Sequence, residues 1–93
     1  MRTIERTGQF KRDYKRESKG QHKADLDDAL VTVLKLLVQG KSLSPKYRDH
    51  PLSGDWSDHR DCHIKPDLVQ IYRLTGKQSI QLVRLGSHSE LGL

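Results

Sequence analysis

His59-Arg60-Asp61-Cys62-His63-Ile64-Lys65-Pro66-Asp67-Leu68-Val69-Gln70-Ile71-Tyr72-Arg73-Leu74-Thr75-Gly76-Lys77-Gln78-Ser79-Ile80-Gln81-Leu82-Val83-Arg84-Leu85 contains three strand-forming runs and two turns. His59 to Lys65 alternates in polarity, Leu68 to Leu74 is a mixed apolar run, and Ile80 to Leu85 is another. Lys65-Pro66-Asp67 and Thr75-Gly76-Lys77-Gln78 are short and rich in turn formers, so they predict antiparallel hairpins. Because strand side chains alternate, His59, Asp61 and His63 fall on one side of the first run. Arg60, Cys62 and Ile64 fall on the other, and the apolar pair marks the core side.

Upstream, Leu26, Ala29, Leu30, Val33, Leu34 and Leu37 recur at three- and four-residue spacing, which predicts an amphipathic helix from about Gln21 to Gln39. Gly20 breaks the chain before it, and Gly40 ends it as the C′ residue. Arg2 to Thr7 reads as an edge strand. Thr7 then serves as N-cap of a helix through Phe10 and Tyr14, which share a face. Lys11, Arg12, Lys15, Arg16 and Lys19 make the rest of that helix basic, a surface for phosphate or simply a solvated face. Lys41 to Ser57, with Pro45, Pro51 and Gly54, reads as loop. The expectation is one α+β domain over residues 1–93 in β-α-α-β-β-β order. Its antiparallel sheet carries both helices on one face and leaves the other open to a ligand.

Leu, Ile, Val and Phe fill about a quarter of the 93 positions, above the roughly 20% at which disorder becomes the better expectation. The apolar runs fall far short of the ~20 residues that cross a bilayer, and no signal-peptide core is visible at the N-terminus. A cytoplasmic protein with no membrane partner is expected. The one cysteine, Cys62, cannot form an internal disulfide and reads as a small buried side chain. Seventeen Lys and Arg against twelve Asp and Glu leave a net charge of +5, which favours a polyanionic partner, with nucleic acid first.

Chemistry concentrates between Tyr47 and Asp67, which hold three of the five histidines, five of the twelve acidic residues, and the only Trp and Cys. His50 and Asp67, from flanking loops, can join the face of Asp61 and His63. Arg84, the only charged residue of the last strand, and His88, just beyond Gly86, can approach the same place. Two chemistries fit. Imidazole and carboxylate suit zinc, although His-x-Asp-x-His is a weak metal signature. Alternatively, metal-free cleavage of RNA needs a base for the 2′-hydroxyl, a cation for the phosphorane and an acid for the leaving 5′-oxygen. Histidine, aspartate and arginine are the types required. A basic binding module without catalysis is the third reading. His59 reads as a solvated bystander.

Together, Gly8-Gln9-Phe10, Tyr47-Arg48-Asp49-His50-Pro51-Leu52-Ser53-Gly54-Asp55-Trp56, Arg60-Asp61-Cys62-His63-Ile64-Lys65-Pro66-Asp67, Ile71-Tyr72-Arg73-Leu74 and Arg84-Leu85-Gly86-Ser87-His88 resemble the YafQ toxins of the RelE superfamily. The likeness spans nearly the whole chain. It implies a compact RelE-like fold and a toxin of a type II toxin–antitoxin system, a ribosome-dependent endoribonuclease that cuts mRNA without metal or other cofactor. The family's active-site positions match His50, Asp61, His63, Asp67, Arg84 and His88. His88 is then the general acid and Arg84 the phosphorane stabiliser, with Asp67 and His50 or His63 as base and orienting partners. Lys11, Lys15, Arg48, Trp56 and Tyr72 are candidates for holding RNA. The implied partners are the ribosome with its mRNA and a DinJ-like antitoxin, with operator DNA met only through the antitoxin complex. Relatives often carry an aromatic residue soon after the last histidine. Here Ser89-Glu90-Leu91-Gly92-Leu93 stands instead, so stacking on a base falls to Trp56 or Tyr72, with Trp56 equally suited to pin its loop to the core.

Overall fold

The computed structural model describes all 93 residues. Its elements are β1 (Thr3–Arg6), α1 (Gly8–Glu17), α2 (Leu26–Val38), β2 (His50–Pro51), β3 (Arg60–Lys65), β4 (Leu68–Leu74), β5 (Ser79–Gly86) and a short α3 (His88–Leu91). Single 3-10 turns at Pro45–Tyr47 and Gly54–Trp56 punctuate the long connection after α2. The five strands lie in the order β1-β5-β4-β3-β2. The α+β class and the order of the main elements match the sequence-based expectation. The sheet itself is mixed: the β2-β3-β4-β5 part is antiparallel, whereas β1 runs parallel to β5. A strand that is separated from its neighbour by the rest of the chain is free to pair in either sense, so no turn in the sequence announced this.

Local signals account for most boundaries. Thr7 accepts a hydrogen bond from the Phe10 N–H at 3.0 Å and caps α1 as expected. At the end of α2, Gly40 takes φ +73°, its N–H donates to the Leu37 carbonyl, and the Lys41 N–H reaches back to that of Leu36. That pair of bonds is a Schellman ending. The start of α2 is the correction. The helix begins at Leu26, not Gln21, and residues 20–25 form tight turns, because nothing before Leu26 has an apolar face to bury. Asp25 does not cap the helix with its side chain, which is engaged by Lys65.

The main core lies between the two long helices and the sheet. Phe10, Leu26, Leu30, Val33 and Leu37 pack there on Cys62, Ile64, Leu68, Tyr72, Ile80, Leu82 and Leu85. The other sheet face, expected to be open, is covered in part. Val69, Ile71 and Leu91 form a second small cluster, with Leu52, Trp56 and Val83 at its margin. A four-residue helix cannot hold itself together in water. Burial of Leu91, worth about 1.5–3 kcal/mol, therefore anchors α3 more firmly than any exposed ion pair, worth about 0–1 kcal/mol. Leu91, three residues after the last histidine, thus closes this back-face cluster.

Tyr72 is the other correction. It is 2% exposed, on the helix side of the sheet, and its hydroxyl donates to Asp49. A ring placed there cannot stack on RNA. Its role is to tie the Asp49 segment, which also receives two hydrogen bonds from Arg60, to the core. Tyr72→Phe is expected to lower stability by about 1–2 kcal/mol while leaving any activity intact, as read by urea denaturation beside an activity assay.

Candidate active site

Antiparallel register lines up the functional face. Asp61, Ile71 and Arg84 occupy one row across β3, β4 and β5, and His63, Val69 and Gly86 occupy the next. Paired residues in a row point to the same side of the sheet, so Asp61, His63 and Arg84 share the face opposite the main core. A bulge at Val83 shifts the β4–β5 register between Ile71 and Tyr72. Bulges re-aim side chains in this way beside functional sites. The fully buried Gln70 fills the irregularity, its amide donating to the carbonyls of Ile71 and Arg84, both at 2.8 Å.

Two imidazole–carboxylate pairs stand on this face. His88, the first residue of α3, has Nδ1 3.0 Å from Oδ1 of Asp67, and its backbone N–H points to the same oxygen at 3.4 Å. Asp67 sits in the two-residue β3–β4 turn. The bond from His88 holds its carboxyl below the usual range, so it is ionised at neutrality. With Nδ1 occupied, Nε2 of His88 is the nitrogen left for a substrate. In the second pair, Nδ1 of His50 is 2.9 Å from Oδ1 of Asp61 but off the line of a hydrogen bond. That oxygen has a close cation whenever His50 is protonated, yet no aligned donor. Burial pushes the Asp61 carboxyl up, against the pull of His50, His63 and His88.

His63 lies between the pairs, its ring edge-on to His88 with centroids 4.9 Å apart. Burial pushes its pKa down and the charge of His88 adds to this, with smaller contributions from Arg48 and His50, while Asp61 opposes. Burial therefore favours the neutral form of His63, next to an imidazole bonded to a carboxylate. Neighbouring groups that differ in this way are suited to opposite roles in proton transfer.

Arg84 does not stand free on this face. Its Nε and Nη2 bond to the two oxygens of Asp13, at 2.7 and 3.3 Å. Asp13, on α1, is fully buried and also accepts the Leu85 N–H at 3.1 Å. Arg16 donates to the Leu85 carbonyl at 3.0 Å and pairs with Glu90 of α3 at 3.1 Å. Past Leu82, where β1 no longer pairs with β5, these side chains of α1 replace a strand at the sheet edge. Glu90 in turn completes a capping box with Ser87. Gly86 fits this crowded corner because a Cβ would come within 3.0 Å of Arg16 Nη2 and 3.3 Å of Glu90 Oε1.

The structure thus gathers His50, Asp61, His63, Asp67 and His88, with Arg84 on the same face. Arg48 lies beside them, an exposed arginine held in the left-handed region at φ 49° and ψ 44°. It borders a groove of about 670 Å³ formed by Ala29, Thr32, Lys46, Tyr47, His63, Ile64, Lys65 and Pro66. Lys11 lies elsewhere, in the crevice between β1, α1 and α2, and Lys15 projects from the exposed side of α1. Trp56 is half-buried against the back-face cluster with its ring near His59, centroids 5.3 Å apart. His59 precedes β3 and turns Nδ1 to the Ser57 carbonyl. Sequence reasoning missed Asp13, Arg16 and Glu90. The Ser87-x-x-Glu90 spacing was a legible cap signal, whereas Asp13 was hidden as one acid in a basic helix.

Residues 2–92 match the family model described as the bacterial toxin of type II toxin–antitoxin systems, YafQ. The mRNA interferase toxin YafQ of Escherichia coli K12 is 38% identical over 91 residues, covering 98% of this chain and 96% of the relative. Among solved structures, a copper-bound mutant toxin from Helicobacter pylori superposes with a TM-score of 0.83 at 33% identity, over 98% of this chain and 99% of that one. YafQ in the DinJ–YafQ complex of E. coli gives 0.79 at 34% identity, over 98% of both chains. Fold and length agree, and the chain belongs to the YafQ family of bacterial toxins of type II toxin–antitoxin systems.

Proposed function

We propose that this toxin is a ribosome-dependent endoribonuclease that cleaves mRNA by acid–base chemistry without a metal. The observation that carries the reading is the contrast between neighbouring imidazoles, His63 lowered by burial and His88 bonded to an ionised Asp67. In the reaction, His63 takes the proton of a 2′-hydroxyl as that oxygen bonds to the adjacent phosphorus. The bond from phosphorus to the 5′-oxygen breaks, and His88 Nε2 gives that oxygen its proton. A 2′,3′-cyclic phosphate and a 5′-hydroxyl result. Arg84 faces the negative charge that builds on the phosphorane. His50 and Asp61 supply the field around His63. The RNA strand runs into the groove beside His63, where Lys46 and Arg48 meet its phosphates.

The name of the E. coli relative supports mRNA as substrate, and the DinJ–YafQ complex supports a DinJ-like antitoxin as partner. Operator DNA is then contacted through the antitoxin complex. No helix is long and apolar enough to cross a membrane, in keeping with a toxin that meets ribosomes in the cytoplasm.

The test is incubation of the protein with programmed ribosomes and a defined mRNA, with and without EDTA, and mapping of the new 5′ ends. Cuts are expected only on the ribosome, with 5′-hydroxyl ends and no chelator effect on the chemical step. Loss of cutting under chelation with intact ribosomes would turn the reading to a metal-dependent hydrolase, and binding with no cut under any condition to a binding module. The same assay across pH carries a sign. His63 acts as the neutral base and its pKa is lowered, so on the acid side half of the rate is lost only below pH 6.5. A rate already halved above pH 6.5 would remove His63 as the base.

A further inference from the structure

We propose that Asp13 is a positioning residue for Arg84, a buried carboxylate on α1 that sets the direction in which the arginine meets the phosphate. This rests on the nuclease reading above. Five donors converge on the one carboxylate. Oδ1 receives Gln9 Nε2 at 3.2 Å, Arg16 Nη1 at 3.0 Å and Arg84 Nη2 at 3.3 Å. Oδ2 receives Arg84 Nε at 2.7 Å and the Leu85 N–H at 3.1 Å. Closing the sheet edge at Leu85 needs a single acceptor. Two of the four remaining bonds hold one side of the Arg84 guanidinium and fix its plane, while Gln9 and Arg16 hold the carboxylate itself.

An arginine held through Nε and Nη2 keeps Nη1 and the second N–H of Nη2 for another anion. That free edge, on a side chain still 23% exposed, is what remains for a phosphate oxygen. A buried ion pair is a weak device for stability alone, while a cation aimed before the reaction loses little in reorganisation when charge develops. The bulge at Val83 adds to the case, since it directs Arg84 toward the sheet edge where α1 delivers Asp13. The preceding residue on the helix face, Phe10, is in the main core, so the position of Asp13 is set by the packing of α1 and not by the RNA.

The test combines D13N, R84A and the double variant with single-turnover cleavage on programmed ribosomes, and with the Nε–Hε resonance of Arg84 in the free protein. The substitution D13N keeps the size of the side chain and an acceptor for Leu85 while removing the charge. It is expected to lower the maximal rate about 10- to 100-fold, with the half-saturating ribosome concentration unchanged. The double variant is expected to cut no more slowly than R84A alone. Arg84 Hε should be a single, exchange-protected resonance in the wild type, averaged with bulk arginine signals in D13N. A residue needed only for folding would instead slow D13N and R84A multiplicatively. That outcome overturns the proposal, as does a wild-type rate in D13N or an already averaged Arg84 resonance in the wild type. The resonance needs neither ribosome nor cleavage, so a wild-type protein that cuts no RNA sinks the nuclease reading separately and leaves the Asp13–Arg84 arrangement to be judged by the spectrum.

Discussion

Replacement of His88 by alanine is expected to slow mRNA cleavage by about 10²–10⁴-fold, the range contributed by a general acid to such a reaction, while ribosome binding stays near that of the wild type. The structure makes this variant a clean one. The His88 side chain is 40% exposed and lies outside both core clusters. Its removal leaves the Ser87–Glu90 capping box and the buried Leu91 in place, so α3 keeps its anchor. Asp67 loses its partner but is exposed and can be solvated. The measurement is single-turnover cleavage at saturating ribosomes, with sedimentation to follow binding. Cleavage at the wild-type rate would remove His88 as the acid. Loss of binding together with cleavage would assign the ring to recognition.

Arg84→Ala is expected to cost about 10²–10³-fold in the rate of cleavage, the usual loss when one preorganised donor to a developing oxyanion is removed. It differs from His88→Ala in also touching the fold, because Asp13 is fully buried and loses two of its donors. Arg16, Gln9 and the Leu85 N–H remain. The stability loss is therefore expected at about 1–3 kcal/mol, the cost of unmaking charge-assisted hydrogen bonds to a group that keeps others. Arg84→Lys separates the two effects. A lysine restores the positive charge but cannot make a two-nitrogen fork, so stability should recover further than cleavage. Urea denaturation and the cleavage assay on the same preparations check this. Equal recovery of both would mean that Arg84 acts on the reaction only by holding the structure.

Much of the architecture was legible because it is written in local patterns. The apolar stripe of α2 from Leu26 to Leu37 follows the 3.6-residue repeat, and Gly40 and Thr7 end and begin helices through bonds to their immediate neighbours. The two short turns brought β3, β4 and β5 together. The alternation of β3 placed Asp61 and His63 on one side and Cys62 and Ile64 on the other. From those facts alone the gathering of His50, Asp61, His63, Asp67 and His88 was within reach.

What depended on tertiary structure are pairings between parts of the chain that share no local pattern. The parallel pairing of β1 with β5 brings residues 3–6 beside residues 79–82, and no periodicity encodes it. Tyr72 and Trp56 both read as rings for RNA, Trp56 equally as a pin between its loop and the core. The first is withdrawn into the helix-side core and the second is half-buried against the back-face cluster, because strand register and burial choose among apolar residues of similar character. Asp13 shows the same limit most plainly. On its own helix it is one of two acids among lysines and arginines, and it acquires a meaning only when Leu82 releases β1 and the exposed edge of β5 needs an acceptor. By itself the sequence determined which residues carry the chemistry and which elements present them. The folded chain decided their charge states and alignment, since both depend on burial and on partners that lie, like Asp13 and Arg84, some seventy residues apart along the chain.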